Sequence, residues 1–323
     1  MRSKRIQNRI GESRLLLPVS LLVAGGLWWL PRRPYTHWDP GALGVCLLTT
    51  YLLTEMNNRN AIIRVYSRSM CSVFLLLVSC MGMLHGWTWQ WPAVPALTAS
   101  LFMLTQMDSV GNIVAHTFHI FVVLGVAVLF TPAYIWFALI LYWHIAVSFR
   151  KLTPKGFFAG LIGLAVPVWV AACVCLLTDH WTIAREWWDE LTNIHPLWTE
   201  SLRQIDTGVV VCWGLLALVL ATGSIYYLVN CYEDKVRTRM LVRMFITQSA
   251  YTLLLAALQP HRSQSLLPAM VMSISPLPAH YFTLHRTWWA SNMLWLFIIC
   301  LVLLAVYTCY PEAKEVITEI IKQ

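Results

Sequence analysis

The chain has 323 residues, 58% of them hydrophobic and only 12% charged, with 23 Lys and Arg against 15 Asp and Glu for a formal net charge of +8. Soluble domains carry roughly half apolar and about a quarter charged residues, so this composition excludes a water-covered globule and requires a surface that faces lipid. The positive balance needs no nucleic acid, because basic loops on the cytoplasmic face of a membrane account for it.

A membrane-crossing helix needs about 20 apolar residues. In chain order the apolar stretches are 15–31, 41–56, 70–86, 93–107, 113–130, 133–148, 157–178, 209–229, 242–259, 265–281 and 288–309. The expected fold is all-α, a polytopic transmembrane helix bundle of about 11 spans (range about 9–11) in a single integral domain over residues 1–323. The pairs 93–107/113–130 and 242–259/265–281 also fit re-entrant hairpins. A basic leader precedes the first run and no small-residue cleavage site follows it, so that run is expected to be a retained first span.

The loops test this threading. With the N-terminus inside, Arg32, Arg33, Arg185, Arg203, Arg262, Lys314 and Lys322 fall on the outer side, and the other 16 of the 23 basic residues fall inside. Positive charge favours the cytoplasmic side, so the expected N-terminus is cytoplasmic. Trp28, Trp29, Trp38, Trp87, Trp89, Trp91, Trp181, Trp187, Trp188 and Trp198 then sit at or beyond outer span ends, where indole prefers the headgroup level. The longest loop, 179–208, is expected outside. In it Trp181, Ala184, Trp188 and Leu191 share one helical face while Arg185, Glu186, Asp189 and Glu190 take the others. That pattern predicts an interfacial amphipathic helix. The tail 311–323 reads as a second, short amphipathic segment.

Ionisable groups in or near a bilayer are costly, which makes them the candidates for function. They are Asp39 with His37, Arg32 and Arg33 in the loop PRRPYTHWDPG, then Glu55, His85, His116, His119, His144, Asp179, His180, Asp206, His261, Arg262 and His280. His116 and His119 stand three apart on one helical face. Without a third ligand they are expected to hydrogen-bond between helices and to hold no metal. The nine cysteines lie mostly in apolar runs, with no CxxC pair and no zinc spacing, and read as packing residues. No nucleophile elbow, Walker loop, HExxH or dinucleotide fingerprint occurs, and no cofactor is expected. Asp39 is also placed to cap the second helix.

Two stretches carry a resemblance: NNRNAIIRVYSRSMCSVFLLLVS at 57–79, and GVAVLFTPAYIWFALILYWHIAVSFRKLTPKGFFAGLIGLAVPVWVAACVCLLTD at 125–179. With the basic leader they resemble a family of uncharacterised polytopic inner-membrane proteins of Bacteroidetes, in which a Gly-x-Ala-x-Leu-Phe-x-Pro-Pro-like span leads to a basic turn. Thr131-Pro132-Ala133 stands here in place of the double proline. The same region is more remotely similar to GT-C-type lipid-linked sugar glycosyltransferases, although their first outer loop is longer and often carries an acidic pair. The resemblance implies a bacterial inner-membrane protein. It further implies glycosyl transfer from a polyprenyl-phosphate sugar at the outer leaflet, with Asp39 as catalytic base and Arg32, Arg33, His37 and Arg262 binding substrate. Two other readings stay open: a non-catalytic membrane subunit with envelope protein partners, and a transporter. Membrane lipids are expected partners in all three, and nucleic acid in none.

Overall fold

A computed structural model describes residues 6–29, 40–63, 65, 67–192, 205–284 and 288–309. The described residues are helical, without strands. In chain order the helices are α1 (Ile6–Gly11), α2 (Leu16–Trp29), α3 (Pro40–Asn60), α4 (Ser69–Cys80), α5 (Ala93–Thr105), α6 (Ile113–Phe130), α7 (Phe137–Trp143), α8 (Pro154–Leu177), α9 (Trp181–Thr192), α10 (Thr207–Asn230), α11 (Val236–Leu258), α12 (Ser263–Ile274), α13 (Pro276–Leu284) and α14 (Trp288–Cys309). Among the described residues, α6, α8, α10, α11 and α14 are long and apolar enough to cross a membrane, and α2, α4 and α5 are shorter apolar helices. The described residues are therefore all-helical, with several helices suited to a membrane.

Local chemistry sets several helix ends. Asn112 caps α6, its side chain accepting from the Ala115 amide at 3.1 Å. Thr153 caps α8 through the Gly156 amide at 3.1 Å, with Pro154 at the first helical position, where its missing N–H costs nothing. The stretch 265–281 holds two helices where the apolar run suggests one. Pro276 has no N–H and disfavours the helical conformation at Ser275, so α12 stops and α13 starts anew. After α7 the chain widens into a π-helical turn over His144–Ser148, which holds His144 fully buried. Such a turn replaces i→i−4 bonds with i→i−5 ones, as the Phe149 amide shows by bonding the His144 carbonyl at 3.0 Å.

The contacts gather into two compact units: unit 1 is Met1–Thr88, Asp206–Ser249 and Met270–Gln323, and unit 2 is Trp89–Ile205 and Ala250–Ala269. In unit 2 the most extensive packing joins α6 to α8. A Cβ on Gly125 would lie 2.8 Å from the Leu164 carbonyl, and one on Gly163 would collide with the Phe118 carbonyl. Only glycine lets the two backbones come this close, the small-residue route to helix association in lipid. Phe121 stacks on Tyr142 at 4.2 Å, and the Tyr142 hydroxyl donates to the Phe157 carbonyl at 2.8 Å. At one end Lys151 pairs with Asp108 at 2.9 Å and donates to the Met107 carbonyl.

Unit 1 is organised differently. α4 is buried on nearly every side, and α2, α3, α13 and α14 all pack on it. A polar network closes one end. Asn57 donates to the Ser67 carbonyl at 3.0 Å and accepts from the Ile63 amide at 3.1 Å, fixing the turn after α3. Ser67 donates to the Gly11 carbonyl, Ser69 and Thr283 hydroxyls lie 2.9 Å apart, and Asn8 donates to the Thr283 carbonyl at 2.8 Å. Four segments distant in sequence are thereby tied through side-chain bonds that water does not weaken, because the groups are buried.

Candidate functional site

Among the described residues, a concentration of buried ionisable groups lies in unit 1, where α10, which packs on α13, turns into α11. His280 Nε2 lies 2.9 Å from Asp234 Oδ2, and their side chains are only 5% and 4% exposed. The contact has the distance of an ion pair without the direction of a hydrogen bond at Nε2. The Tyr227 ring meets the His280 ring edge to face, centroids 5.1 Å apart. Its hydroxyl is buried without a hydrogen-bond partner and lies in the field of Asp234, Arg243 and Arg239. The Nε of Arg239 is likewise buried without a partner. Arg237, two residues earlier, donates to the Asn60 side chain at 3.1 Å. Buried polar groups are normally hydrogen-bonded, so two unmet donors at one charged cluster mark a place prepared for an acceptor.

A groove of about 540 Å³ opens on the neighbouring face of α10 and α13, with α14 as its third wall. On α10 it is lined by Leu215, Leu218, Thr222, Tyr226 and Asn230, which recur three and four residues apart and so form one stripe. Tyr281 of α13 and Phe297 of α14 close its sides. The lining is almost wholly apolar, with Asn230 and the two tyrosines at one end. Tyr226 and Tyr281 meet edge to face at 4.5 Å, one residue along from the Tyr227–His280 contact in both helices. Consecutive residues on a helix diverge by about 100°, so each pair of neighbours serves one wall of the groove and one member of the cluster.

The residues singled out from sequence are dispersed. Asp39, Arg32, Arg33 and His37 lie outside the described residues, as does the tail 311–323. Arg262, in unit 2, is 5% exposed, donates to the Glu190 carbonyl at the end of α9 and lies 3.0 Å from His261 Nε2. Burial lowers the pKa of its guanidinium, and Glu190 opposes that shift. α9 also donates through Trp187 Nε1 to the Val128 carbonyl at 3.1 Å, so two side-chain bonds hold this helix to unit 2. His116 Nε2 lies 2.8 Å from the Met103 carbonyl, and His119 meets the Phe118 ring. Among the described residues no group of three or more His, Cys, Asp or Glu is placed to hold a metal. Glu55 pairs with Arg59 one turn on at 2.5 Å. His85 is buried against Trp28, rings stacked 4.2 Å apart.

Sequence reasoning found His280 but missed Asp234, Tyr227 and Arg239. A signal existed: Glu233 and Asp234 interrupt a loop otherwise rich in Lys and Arg. An acid among cations at a span end is either solvated or paired, and here Asp234 is paired and buried. No family model, no curated protein and no solved structure matches the chain.

Proposed function

We propose that this protein is a polytopic bacterial inner-membrane protein whose function depends on holding a membrane lipid in the α10/α13/α14 groove. The observation that carries the reading is the groove itself, an apolar stripe along a membrane-length helix that ends at polar side chains beside a charged cluster. An apolar lining suits a hydrocarbon chain, and a polar end fixes the direction in which the chain enters. In this reading the shorter apolar helices also insert, giving about 11 crossings. The N-terminus is cytoplasmic by the charge asymmetry of the loops, and α9 lies in the outer interface with Trp181 and Trp188 in the headgroup layer.

The test is direct. Protein purified in mild detergent and sprayed as an intact complex should carry lipid. Thr222→Trp, which places a large ring in the groove, should strip that lipid while circular dichroism shows the same helix content. Lipid retained equally by both proteins would sink the reading. Sidedness is checked with a cysteine at Asn193, which should react with an impermeant thiol reagent in intact spheroplasts above the wild-type background. Reaction only after lysis would reverse the topology.

A lipid-binding membrane protein is compatible with the chemistry that the resemblance supplies, transfer of a sugar from a polyprenyl phosphate. There Asp39 would take the acceptor proton, and Arg32, Arg33, His37 and Arg262 would bind substrate. Asp39→Asn separates base from helix cap, since asparagine caps about as well as aspartate but takes no proton. Transfer lost with expression intact supports the enzyme. Unchanged function in that variant favours a non-catalytic subunit.

A further inference from the structure

We infer that the cluster of Tyr227, Asp234, Arg239, Arg243 and His280 is the headgroup seat of the groove and takes the phosphate of an anionic glycerophospholipid. The inference rests on the lipid reading of the groove and assigns the class of lipid.

Three observations lead to it. The first is an unmet demand for an acceptor. The Tyr227 hydroxyl and Arg239 Nε are both buried donors with nothing to donate to, and both belong to one cluster. A phosphate oxygen is an acceptor that satisfies a hydroxyl and a guanidinium together, and charge-assisted bonds of that kind are the strong ones.

The second is charge. From Cys231 to Arg243 the chain carries Lys235, Arg237, Arg239 and Arg243 against Glu233 and Asp234, four cations to two acids. Asp234 is turned to His280, and Arg237 to Asn60. Arg243 is exposed, with its guanidinium 3.8 Å from Cys231 Sγ. The acid that would repel an anion is thus engaged within the protein, while the positive charges of Arg239 and Arg243 are felt at the Tyr227 hydroxyl. Juxtamembrane cations of this kind draw anionic lipid.

The third is length. From Leu215 to Asn230 the lined stripe of α10 runs about 22 Å at 1.5 Å per residue. One leaflet, headgroup included, is about 20–22 Å deep, half of the 40–45 Å bilayer. The groove is long enough for the acyl chains of one phospholipid, which need about 15 Å, half of the hydrocarbon core, and its Asn230 end leads to the turn that carries the cluster.

The experiment uses full-length protein in nanodiscs and reads lipid occupancy by competition against a spin-labelled phospholipid. Phosphatidylglycerol should displace the label about tenfold more effectively than phosphatidylcholine, the scale of one charge-assisted contact. Arg239→Gln and Tyr227→Phe should each remove most of that preference. Arg243→Gln, at an exposed position that folding does not need, should reduce it. Equal displacement by the two phospholipids, or a preference unchanged in all three variants while Thr222→Trp still empties the groove, would overturn the headgroup assignment and leave the groove reading standing. No displacement by any lipid, with Thr222→Trp indistinguishable from wild type, would overturn the groove reading itself. Inorganic phosphate acting as well as phosphatidylglycerol would make the ligand a soluble anion. Undecaprenyl phosphate acting at far lower concentration would make it an isoprenoid lipid. Either result overturns the phospholipid assignment.

Discussion

The α6/α8 seam of unit 2 and the α10/α13/α14 groove of unit 1 are built from equally apolar helices and end in opposite ways. At the seam, glycines on both helices remove the side chains that would keep the backbones apart, and the space closes. On α10, Gly214 has nothing within 4 Å of its Cβ position, and further along the helix Tyr226, Tyr281 and Phe297 line the open groove. In lipid, apolarity gives helices no reason to prefer each other over acyl chains, so shape and hydrogen bonds decide which faces close. A closed face is structure, and an open face with a polar end is a site.

The sharpest break of that comparison is Gly163→Leu. Its side chain would meet the Phe118 carbonyl, part of a backbone with no room to move, and overpacking of this kind costs about 3 kcal/mol. Thermal unfolding in detergent should show a large drop, and an unchanged midpoint would mean the seam is not tightly closed. Asp234→Asn comes next. Removing the charge beside buried His280 should cost about 2 kcal/mol, within the range for a buried polar group stripped of its partner. Its double variant with His280→Ala should lose less than the sum of the two single changes, and strict additivity would deny the pairing. Thr283→Val removes one hydroxyl facing Ser69 but leaves the Thr283 carbonyl for Asn8, so about 1 kcal/mol is expected by the same measurement. The smallest effect is Gly214→Leu. With open space around it, the change should stay within about 0.5 kcal/mol, near the helix-propensity difference alone. A loss as large as that of Gly163→Leu would erase the distinction between the closed seam and the open face of α10.

Much of the fold was legible along the chain. Runs such as 113–130 and 288–309 are apolar for the length of a bilayer, and the structure has helices at Ile113–Phe130 and Trp288–Cys309. The caps at Asn112 and Thr153 set where α6 and α8 start, each accepting from an amide three residues on, and apolar runs alone do not carry that signal. The break at Ser275 is present in the sequence as Pro276 and Pro278, but hydropathy counting passes over proline, so an apolar run by itself does not show it. The interval 181–192 is helical, and its seat at an outer interface remains part of the proposal.

The candidate site was less legible, for a physical reason. Composition and periodicity are properties of neighbours in sequence, and they determined that this chain is helical, apolar and asymmetric in charge. Asp234 and His280 reach one another only because α10 and α13 pack together and the turn after α10 folds back over them. The worth of a carboxylate depends on what surrounds it, and low dielectric makes that dependence steep. The same holds for the groove: its stripe on α10 could be read from spacing, but whether a stripe is covered or left open depends on the side chains that other helices bring to it. Tertiary structure alone decided that the α6 stripe closed on glycine and the α10 stripe stayed open.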